Sequence, residues 1–383
     1  MAKTPTGEIA IVGGSLAGLA AGIGLARRGM AVNVFDQSVG EERGGSGLGV
    51  DRALITQTTG VDARIDGITH ALPVVNEGYR ETSTWLAIYR WLRAVASATD
   101  GLQVHESARV ELLSSDTRSA HLSGPRVNFS ADVIIGADGY RSVVRRAVSP
   151  TRPFAPYSGF LIWRALVEES WLPTRLLAQS SLGEGRWAHP ETARLVIYRV
   201  PGPHGETDRG KRSITLAWYD ASRTQWLRDQ GYLVGEEVMG SVPPTAIGDE
   251  LRSELLALVA GRWKGAAREI ITAAIERKVI FGTPLAEYLP ERLFAGRLGI
   301  LGDAAHVASP MVGAGFSSGL RDGMAFIRAV VRSGGTAGEA GIRALGLYND
   351  VRLTPNRRRV LESLAATRDL LLTSSSQRRR LHS

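Results

Sequence analysis

The order of apolar and polar positions near the start of the chain predicts a strand, a helix and a second strand. Glu8–Val12 and Ala31–Phe35 are short and largely apolar, as is typical of strands buried on both faces of a parallel sheet. Leu16–Arg28 lies between them and is long enough for a helix, and Gly29 marks its end. The expected arrangement is a βαβ unit with a glycine-rich turn before its helix.

The middle of the chain follows two different patterns. Apolar residues at 86, 88, 91, 92 and 95 predict an amphipathic helix over Thr84–Ala98, and Val133–Gly136 is predicted as a short buried strand. Between about 151 and 284 the runs Arg194–Val200 and Ser213–Tyr219 alternate between apolar and polar residues. This alternation predicts a lobe built on an antiparallel sheet.

The last third of the chain returns to the first pattern. Leu298–Leu301 is predicted as a buried strand, and helices are predicted over Gly315–Arg332 and Leu345–Leu372. The expected fold class is therefore α/β, with a Rossmann-like domain, an interleaved antiparallel-sheet lobe and a C-terminal helical segment. The predicted boundaries are residues 1–60, 84–150 and 285–344 for the Rossmann-like domain, 61–83 and 151–284 for the lobe, and 345–383 for the helical segment with its basic tail.

Composition excludes several kinds of site. The 383-residue chain contains no cysteine, which excludes disulfides, thiolate nucleophiles and cysteine-ligated iron–sulfur clusters. A strand near Glu8 leaves no room for a signal peptide, and Leu16–Ala26 is too short and glycine-rich to span a bilayer. We therefore expect a cytoplasmic protein without a transmembrane segment. The histidines are far apart in sequence, so no metal site is expected.

The net charge of +8 is concentrated near the C-terminal end. Nine arginines and three acids lie between Arg343 and Ser383. The runs Arg357-Arg358-Arg359 and Arg378-Arg379-Arg380 have no interleaved aromatic residues, so a nucleic-acid partner is not expected. A solvated helix face or tail is the favoured interpretation, and contact with an anionic membrane remains an alternative.

The turn after the first strand resembles a dinucleotide fingerprint. Gly13-Gly14-Ser15-Leu16-Ala17-Gly18 matches G-x-G-x-x-G except at Ser15. Serine is small enough for a diphosphate to approach the backbone, and its hydroxyl is a potential donor to phosphate. Backbone amides and the positive end of the helix dipole supply the main anion binding. A glycine turn without a ligand is the alternative.

Asp36 strengthens the nucleotide interpretation. It follows the second strand, 18 residues after Gly18, where a carboxylate accepts hydrogen bonds from an adenosine ribose and repels a 2′-phosphate. FAD or NAD is therefore favoured over NADP at this site. An aspartate that only caps a turn is the alternative.

Three further segments carry a resemblance to a known family. They are Arg43-Gly44-Gly45-Ser46-Gly47 with Arg90 on the helix that follows; Gly136-Ala137-Asp138-Gly139-Tyr140-Arg141-Ser142-Val143-Val144-Arg145; and Gly302-Asp303-Ala304-Ala305-His306 with Pro310, Gly313 and Gly315. Together with the fingerprint, they make most of the chain resemble the single-component FAD-dependent aromatic hydroxylases with the p-hydroxybenzoate hydroxylase fold.

The resemblance implies roles for these segments. Gly13–Gly18 would hold the FAD diphosphate, with Arg43 and Arg90 as further FAD contacts. Asp138 would support both FAD and the nicotinamide donor, and Asp303 would hold the ribitol or ribose on the flavin side. Pro310, Gly313 and Gly315 would let the next helix begin against the flavin ring.

The resemblance also implies an activity. It predicts an NAD(P)H-dependent FAD monooxygenase that hydroxylates an electron-rich aromatic or heteroaromatic substrate with O2 through a flavin C4a-hydroperoxide. NADH or NADPH would bind only transiently, because no second fingerprint of equal quality follows residue 150. Baeyer–Villiger oxygenation, isoprenoid double-bond reduction and a non-catalytic flavin-binding role remain alternatives. A homodimer is left open.

The substrate site is predicted in the antiparallel lobe. Trp163, Arg164, Trp218 and Tyr219 are candidates to line an aromatic pocket, with packing of the tryptophans in the core as the alternative. Tyr219 is the candidate for a catalytic hydroxyl that orients substrate. His306 is a second catalytic candidate, and a structural hydrogen-bonded histidine is its alternative. Segments around Tyr198–Gly202, Gly210–Arg212 and Ala217–Tyr219 are similar to the 2,6-dihydroxypyridine hydroxylase branch.

Overall fold

The computed structural model describes residues 6–39, 46–65, 67, 69–77, 80–177, 187–188, 194–313 and 315–380. The strands in this part of the chain are β1 (Glu8–Val12), β2 (Ala31–Phe35), β3 (Gly47–Val50), β4 (Val75–Glu77), β5 (Arg80–Thr84), β6 (Leu102–His105), β7 (Leu112–Ser115), β8 (Ala120–Gly124), β9 (Val127–Ala131), β10 (Val133–Gly136), β11 (Tyr157–Glu168), β12 (Trp187–Ala188), β13 (Arg194–Val200), β14 (Ser213–Asp220), β15 (Leu233–Val234), β16 (Glu237–Val238), β17 (Phe281–Ala286), β18 (Phe294–Ala295) and β19 (Leu298–Ile300).

The α-helices in the same residues are α1 (Leu16–Ala26), α2 (Arg52–Thr59), α3 (Trp85–Ser97), α4 (Val143–Val148), α5 (Thr174–Leu177), α6 (Thr224–Asp229), α7 (Asp249–Arg262), α8 (Gly265–Glu276), α9 (Gly315–Ser333) and α10 (Glu339–Arg380).

A six-stranded sheet organises the first domain. Its strand order is β18-β19-β10-β1-β2-β6, and every pair is parallel except the edge pair of β18 with β19. Ile9, Ala10 and Ile11 of the central strand β1 are fully buried, because helices cover both faces of a parallel sheet. The predicted Rossmann-like α/β fold is confirmed.

Helix α1 lies between this sheet and the outer helices. Ala21 and Leu25 belong to the core against the sheet, whereas Leu19 and Ile23 pack with α3 in a second core. The helix ends at Ala26, two residues before the predicted end. The turn that follows is closed by Gly29, whose φ of +87° requires glycine.

The antiparallel lobe is a five-stranded sheet in the order β12-β13-β14-β11-β17. One of its faces is covered by α7 and α8, and Trp163 and Trp218 are completely buried in that core. The predicted antiparallel sheet is confirmed, with its strands β13 and β14 at the expected positions.

A three-stranded sheet, β3-β5-β4, connects the two main sheets. The Gly47 amide donates to Thr215 Oγ1 of β14 at 3.1 Å, and Thr82 Oγ1 donates to the Arg199 carbonyl of β13 at 2.6 Å. The chain therefore passes between the layers near the predicted boundaries at residues 60 and 84, and those boundaries remain predictions.

Helices α9 and α10 close the fold. Helix α10 begins at Glu339 and extends to Arg380, so it is longer at both ends than the predicted Leu345–Leu372. Gly341 in its first turn is a poor helix former, and this weakens the sequence signal there. Buried contacts of Ala344, Leu345 and Tyr348 with the sheet core stabilise the segment instead.

Candidate functional site

Four of the segments predicted to bind FAD meet at one edge of the six-stranded sheet, where four neighbouring parallel strands end. Across the order β19-β10-β1-β2, the loops after the strands carry Asp303, Asp138, the glycine turn and Asp36. Ligands of open α/β sheets bind outside such carboxyl ends. Backbone hydrogen bonds hold the loop starts together: Leu301 N to Gly136 O (2.9 Å), Ala137 N to Val12 O (2.7 Å) and Gly13 N to Phe35 O (2.8 Å).

The glycine turn is too tightly packed for side chains. Gly13 has φ of +108°, and a Cβ there would lie 2.4 Å from the Ala137 carbonyl oxygen. A Cβ on Gly18 would lie 2.0 Å from the Gly13 carbonyl oxygen. The two glycines therefore let the turn fold against the Asp138 loop while α1 starts immediately behind it.

Ser15 is the N-cap of α1, and its side chain makes no capping hydrogen bond. The first turn contains no acidic residue, so the amides of Leu16 and Ala17 lie at the positive end of the helix dipole without a carboxylate from the helix itself. This arrangement fits a diphosphate, and the serine hydroxyl offers one further donor.

Asp36 is hydrogen-bonded to the backbone of two loops at the sheet edge. Its Oδ2 accepts the Gly14 amide at 2.9 Å and its Oδ1 accepts the Ser38 amide at 2.9 Å. The carboxylate therefore fixes the glycine turn. It also lies at the end of β2, where a ribose would be expected, and carboxylate oxygens accept more than one hydrogen bond each. The ribose contact remains a proposal.

One carboxylate oxygen of Asp138 accepts a hydrogen bond, and the other has no partner among the described residues. Its Oδ2 accepts the Val143 amide at 2.7 Å and so caps α4. Its Oδ1 is buried and has no hydrogen-bond partner within the described part of the chain. Burial raises the pKa of Asp138, with the Ser142 hydroxyl and backbone amides opposing the shift. A buried acceptor left over beside the turn fits a bound cofactor.

Arg145 joins the Asp138 and Asp303 loops, a role that sequence reasoning missed. It is fully buried, and its guanidinium donates to the carbonyls of Asp303 (3.3 Å), Ala304 (3.2 Å) and Tyr140. It also lies 4.5 Å from the ring centroid of Tyr288. Arg145 is the last residue of the Gly136–Arg145 motif, and its place there was the signal that the sequence offered for this role. A buried guanidinium needs several acceptors, and the carbonyls of the two loops supply them.

Asp303 lies in a short 3-10 helix, Gly302–Ala304, directly after β19. Burial raises its pKa, and the positive charges of His306, Arg145 and Arg164 oppose that shift. A second 3-10 helix, Pro310–Val312, ends at Gly313 with φ of +62°, and α9 begins at Gly315. The predicted segment thus places Asp303 and the start of α9 on one side of the sheet edge.

The structure places His306, a catalytic candidate, in a buried hydrogen-bond network. The ring is 1% exposed, and Nε2 lies 2.7 Å from Asp322 Oδ2. Asp322 also accepts the Gly302 amide at 3.0 Å through Oδ2 and Arg352 Nε at 2.7 Å through Oδ1. His306 therefore belongs to a buried network that holds the Asp303 loop against α9 and α10, as the structural alternative proposed.

The four predicted substrate residues lie on two opposite faces of the antiparallel sheet. Trp163 and Trp218 point into the α7–α8 core, and Trp163 Nε1 donates to Asp220 at 3.1 Å. Tyr219 belongs to the cluster on the other face. Arg164 acts electrostatically on both Tyr219 and Asp303, so it shares that face. Because side chains alternate along a strand, the structure separates the two tryptophans from Arg164 and Tyr219, and a substrate contact of any of the four remains a proposal.

Comparisons with known proteins agree with this geometry. A family model for an FAD binding domain matches residues 263–360. Hispidin-3-hydroxylase of Neonothopanus nambi is 25% identical over 390 residues, with 90% of this chain and 85% of that protein covered. The 2,6-dihydroxypyridine 3-monooxygenase of Paenarthrobacter nicotinovorans is 24% identical over 329 residues, covering 81% and 79%.

A solved structure extends the agreement to the whole fold. The 2,6-dihydroxypyridine-3-hydroxylase from Arthrobacter nicotinovorans matches with a TM-score of 0.76 and 19% sequence identity, over 97% of this chain and 93% of that one. The chain has the fold of the FAD-dependent aromatic hydroxylases. Its relatives support the enzyme class predicted from the motifs, an FAD-dependent monooxygenase of the aromatic hydroxylase type.

Two arginines are predicted as further FAD contacts. Arg43 lies outside the described residues. Arg90 is on the exposed face of α3, and its Nη1 donates to the Pro203 carbonyl at 3.3 Å, so the contact that is seen joins α3 to the substrate lobe. Contacts of both residues with FAD remain proposals.

Neither a membrane-spanning helix nor a metal centre is found in the part of the chain that the structure describes. No described helix is both long and apolar enough to cross a bilayer. No group of three or more His, Asp or Glu side chains is arranged to hold a metal ion in the same residues.

Proposed function

We propose that this chain is an NAD(P)H-dependent FAD monooxygenase that hydroxylates an electron-rich aromatic or heteroaromatic ring. The observation that carries the proposal is that Tyr219 packs with Met311 of the Pro310–Val312 segment, on the sheet face from which Arg164 acts electrostatically on Tyr198, Tyr219 and Asp303. A ring bound on this face would lie between the sheet and the cofactor edge.

Arg164 supplies the positive charge of this face. Its Nε is buried and has no hydrogen-bond partner among the described residues. A desolvated guanidinium stabilises an anion strongly, so it favours ionisation of a ring hydroxyl bound against it. Loss of that proton makes the ring more nucleophilic. The substrate class that fits best therefore carries an ionisable hydroxyl or another acidic group.

Tyr219 supplies a donor. Burial raises its pKa, although the charge of Arg164 opposes the shift. The hydroxyl is thus protonated near neutral pH and can donate a hydrogen bond to the substrate. Phe160, Ile162, Leu285 and Met311 surround it, and these apolar side chains limit the access of water to the reacting ring.

FAD, when bound, supplies the activation of O2, and the nicotinamide donor supplies the electrons. The overall reaction converts a ring C–H, O2, NAD(P)H and one proton into a ring C–OH, water and NAD(P)+. The part assigned to this chain is to bind FAD at the glycine turn, hold the ring at Arg164 and Tyr219, and keep water out.

A substrate screen tests the proposal. Purified FAD-loaded protein is mixed with hydroxybenzoates, hydroxypyridines and phenols, and NADH or NADPH oxidation is followed together with peroxide release. We expect at least one acidic ring compound to stimulate oxidation about 10-fold or more, with one atom of labelled O2 in a new ring hydroxyl.

Other products in this screen would indicate other functions for the chain. Labelled oxygen in an ester would indicate Baeyer–Villiger chemistry, and anaerobic reduction of a double bond would indicate a reductase. Protein that binds FAD but responds to no ring compound would contradict the hydroxylase proposal. Arg164→Lys and Arg164→Met provide the matched pair of variants. Acidic ring compounds should stimulate NAD(P)H oxidation more in Arg164→Lys than in Arg164→Met, because lysine keeps the positive charge although it lacks the planar guanidinium.

A further inference from the structure

An elongated groove runs between α9 and the first half of α10. It consists of two adjoining cavities of about 350 Å³ and about 210 Å³ that share Arg321 and Arg352 in their walls. Met324, Leu347 and Val351 contribute apolar surface to the larger cavity. The arginines that line the two cavities are Arg321, Arg328, Arg332, Arg352, Arg358 and Arg359.

Most of this positive charge is uncompensated. Arg352 is engaged by Asp322, but within the described ranges no acid forms an ion pair or hydrogen bond with the other five arginines. Arg328 also lies close enough to α1 to act on Arg28, whose pKa is lowered by burial and by the charges of Arg27 and Arg328. Glu362 is the acid that lines the groove. The arginines therefore repel one another unless an anionic ligand is bound.

The outer face of α10 adds exposed aliphatic side chains to this charge. At about 100° per residue, Val351, Arg358, Leu361, Arg368 and Leu372 fall within an arc of about 100°, and all five are exposed. Val351 is 62%, Leu361 51% and Leu372 56% exposed. Asp350 and Asp369 are exposed within the same arc and Glu362 lies at its border, so the positive charge of this part of the molecule comes from the groove arginines. A basic groove beside exposed aliphatic side chains is typical of contact with a lipid surface.

We propose that the α9–α10 face docks on the surface of an anionic phospholipid bilayer. The groove arginines other than Arg352, together with Arg368, contact lipid phosphates, and the aliphatic side chains of α10 enter the boundary between headgroups and acyl chains. This mode of binding requires no membrane-spanning helix.

The charge and shape of the face favour a bilayer over other occupants. A second copy of the chain would bring arginine against arginine. An acidic peptide in the groove would leave Leu361 and Leu372 uncovered, because they lie on the outer face of α10. Nucleic acid would match the charge but not the aliphatic side chains. A bilayer satisfies both features.

Vesicle sedimentation tests the inference. FAD-loaded full-length protein is mixed with sonicated vesicles of phosphatidylcholine alone or with 30 mol% phosphatidylglycerol, at low and at high NaCl concentration. We expect at least 10-fold stronger partitioning to the anionic vesicles at low salt, and a marked loss of that preference at high salt because screening weakens the phosphate contacts.

Two double variants separate charge from apolar insertion. Arg328→Glu with Arg358→Glu should reduce partitioning at least 10-fold, since each basic residue near the surface contributes about 1 kcal/mol, or about 5-fold. Leu361→Ser with Leu372→Ser should weaken binding to anionic vesicles and leave the salt dependence in place. Arg118→Glu with Arg126→Glu is the control, because it makes the same charge change at exposed positions beside β8 and should retain most of the binding.

Several results would overturn the inference. These are equal binding to neutral and anionic vesicles, equal losses in the groove and control variants, and a wild-type dimer that only the groove variants dissociate. FAD content and melting temperature verify that each variant is folded. The assay of substrate-stimulated NAD(P)H oxidation contains no vesicles, so failure of the docking inference and failure of the proposed function are distinguishable.

Discussion

Asp322 and His306 form a buried pair 2.7 Å apart behind the Asp303 loop. The two residues come from different elements, and the same carboxylate accepts from Gly302 of the loop and from Arg352 and Asn356 of α10. One side chain thereby ties the end of β19 to both C-terminal helices. We therefore expect the charge and position of Asp322 to contribute more to the stability of the Asp303 loop than any single apolar contact does.

Replacing Asp322 with Asn should destabilise the fold. Burial raises the pKa of Asp322, but His306 and Arg352 outweigh that effect and hold the pKa below its ordinary value. Its stabilisation is thus present above the unfolded-state value of about 3.9 and is lost as pH falls through the lower folded-state pKa. Urea unfolding of Asp322→Asn should show a loss of about 3 kcal/mol at neutral pH.

The same measurement in acid provides the check. Below about pH 4 the difference between wild type and Asp322→Asn should shrink. The exposed Asp350 on α10 offers the control, and Asp350→Asn should change stability by less than about 0.5 kcal/mol. A difference for Asp322→Asn that does not change with pH would contradict the ionic role of the carboxylate.

Replacing Asp303 with Asn should separate cofactor binding from stability. Burial raises the pKa of Asp303, with His306 and Arg145 opposing the shift, so its ionisation opposes folding increasingly as pH rises above about 3.9. We expect FAD-free Asp303→Asn to melt at the same or a higher temperature than FAD-free wild type at neutral pH. FAD affinity should fall about 10-fold or more, equivalent to about 1.4 kcal/mol, as measured by flavin fluorescence.

A fall in the melting temperature of FAD-free Asp303→Asn together with unchanged FAD affinity would contradict both expectations, the one on stability and the one on cofactor binding. The residue would then be structural. Asp138→Asn is less suitable for this comparison, because Asp138 also caps α4 and loss of a cap alone costs about 1 kcal/mol.

Arg145 and Arg146 are adjacent and should respond very differently to the same change. Arg145→Lys removes the guanidinium that reaches several carbonyls at once, so we expect a loss of about 2–3 kcal/mol in unfolding free energy and weaker FAD retention. Arg146 pairs with Glu237 at the surface, where its side chain is 52% exposed, and Arg146→Lys should change stability by less than about 1 kcal/mol. Similar effects of the two changes would argue against Arg145 as the link between the loops.

Trp218 and Tyr219 form a second adjacent pair, on opposite faces of β14. Trp218→Phe should cost about 1–3 kcal/mol by leaving space in the α7–α8 core, with little effect on the response to substrate. Tyr219→Phe should leave the melting temperature nearly unchanged and raise KM or peroxide release with the substrates found in the screen. Chemical denaturation and coupled oxygen-consumption assays distinguish the two patterns, and an exchanged pattern would contradict the assignment of faces.

The sequence by itself determined the βαβ unit, the two kinds of sheet and the segments that meet at the cofactor edge. Buried strands, the glycine turn and the Asp138 segment are local signals, since each depends on residues close together in the chain. Strand alternation also predicts that Trp218 and Tyr219 point to opposite faces of the sheet, but it does not predict which of the two faces the α7–α8 core.

Only the tertiary structure decided which side of each strand is covered and which distant groups pair. His306 lies in a buried network because Asp322, 16 residues later, accepts a hydrogen bond from its Nε2. Arg145 gained its role because the loop after β19 lies beside the loop after β10. Such partners come from sheet order and helix packing, and no spacing along the chain encodes them.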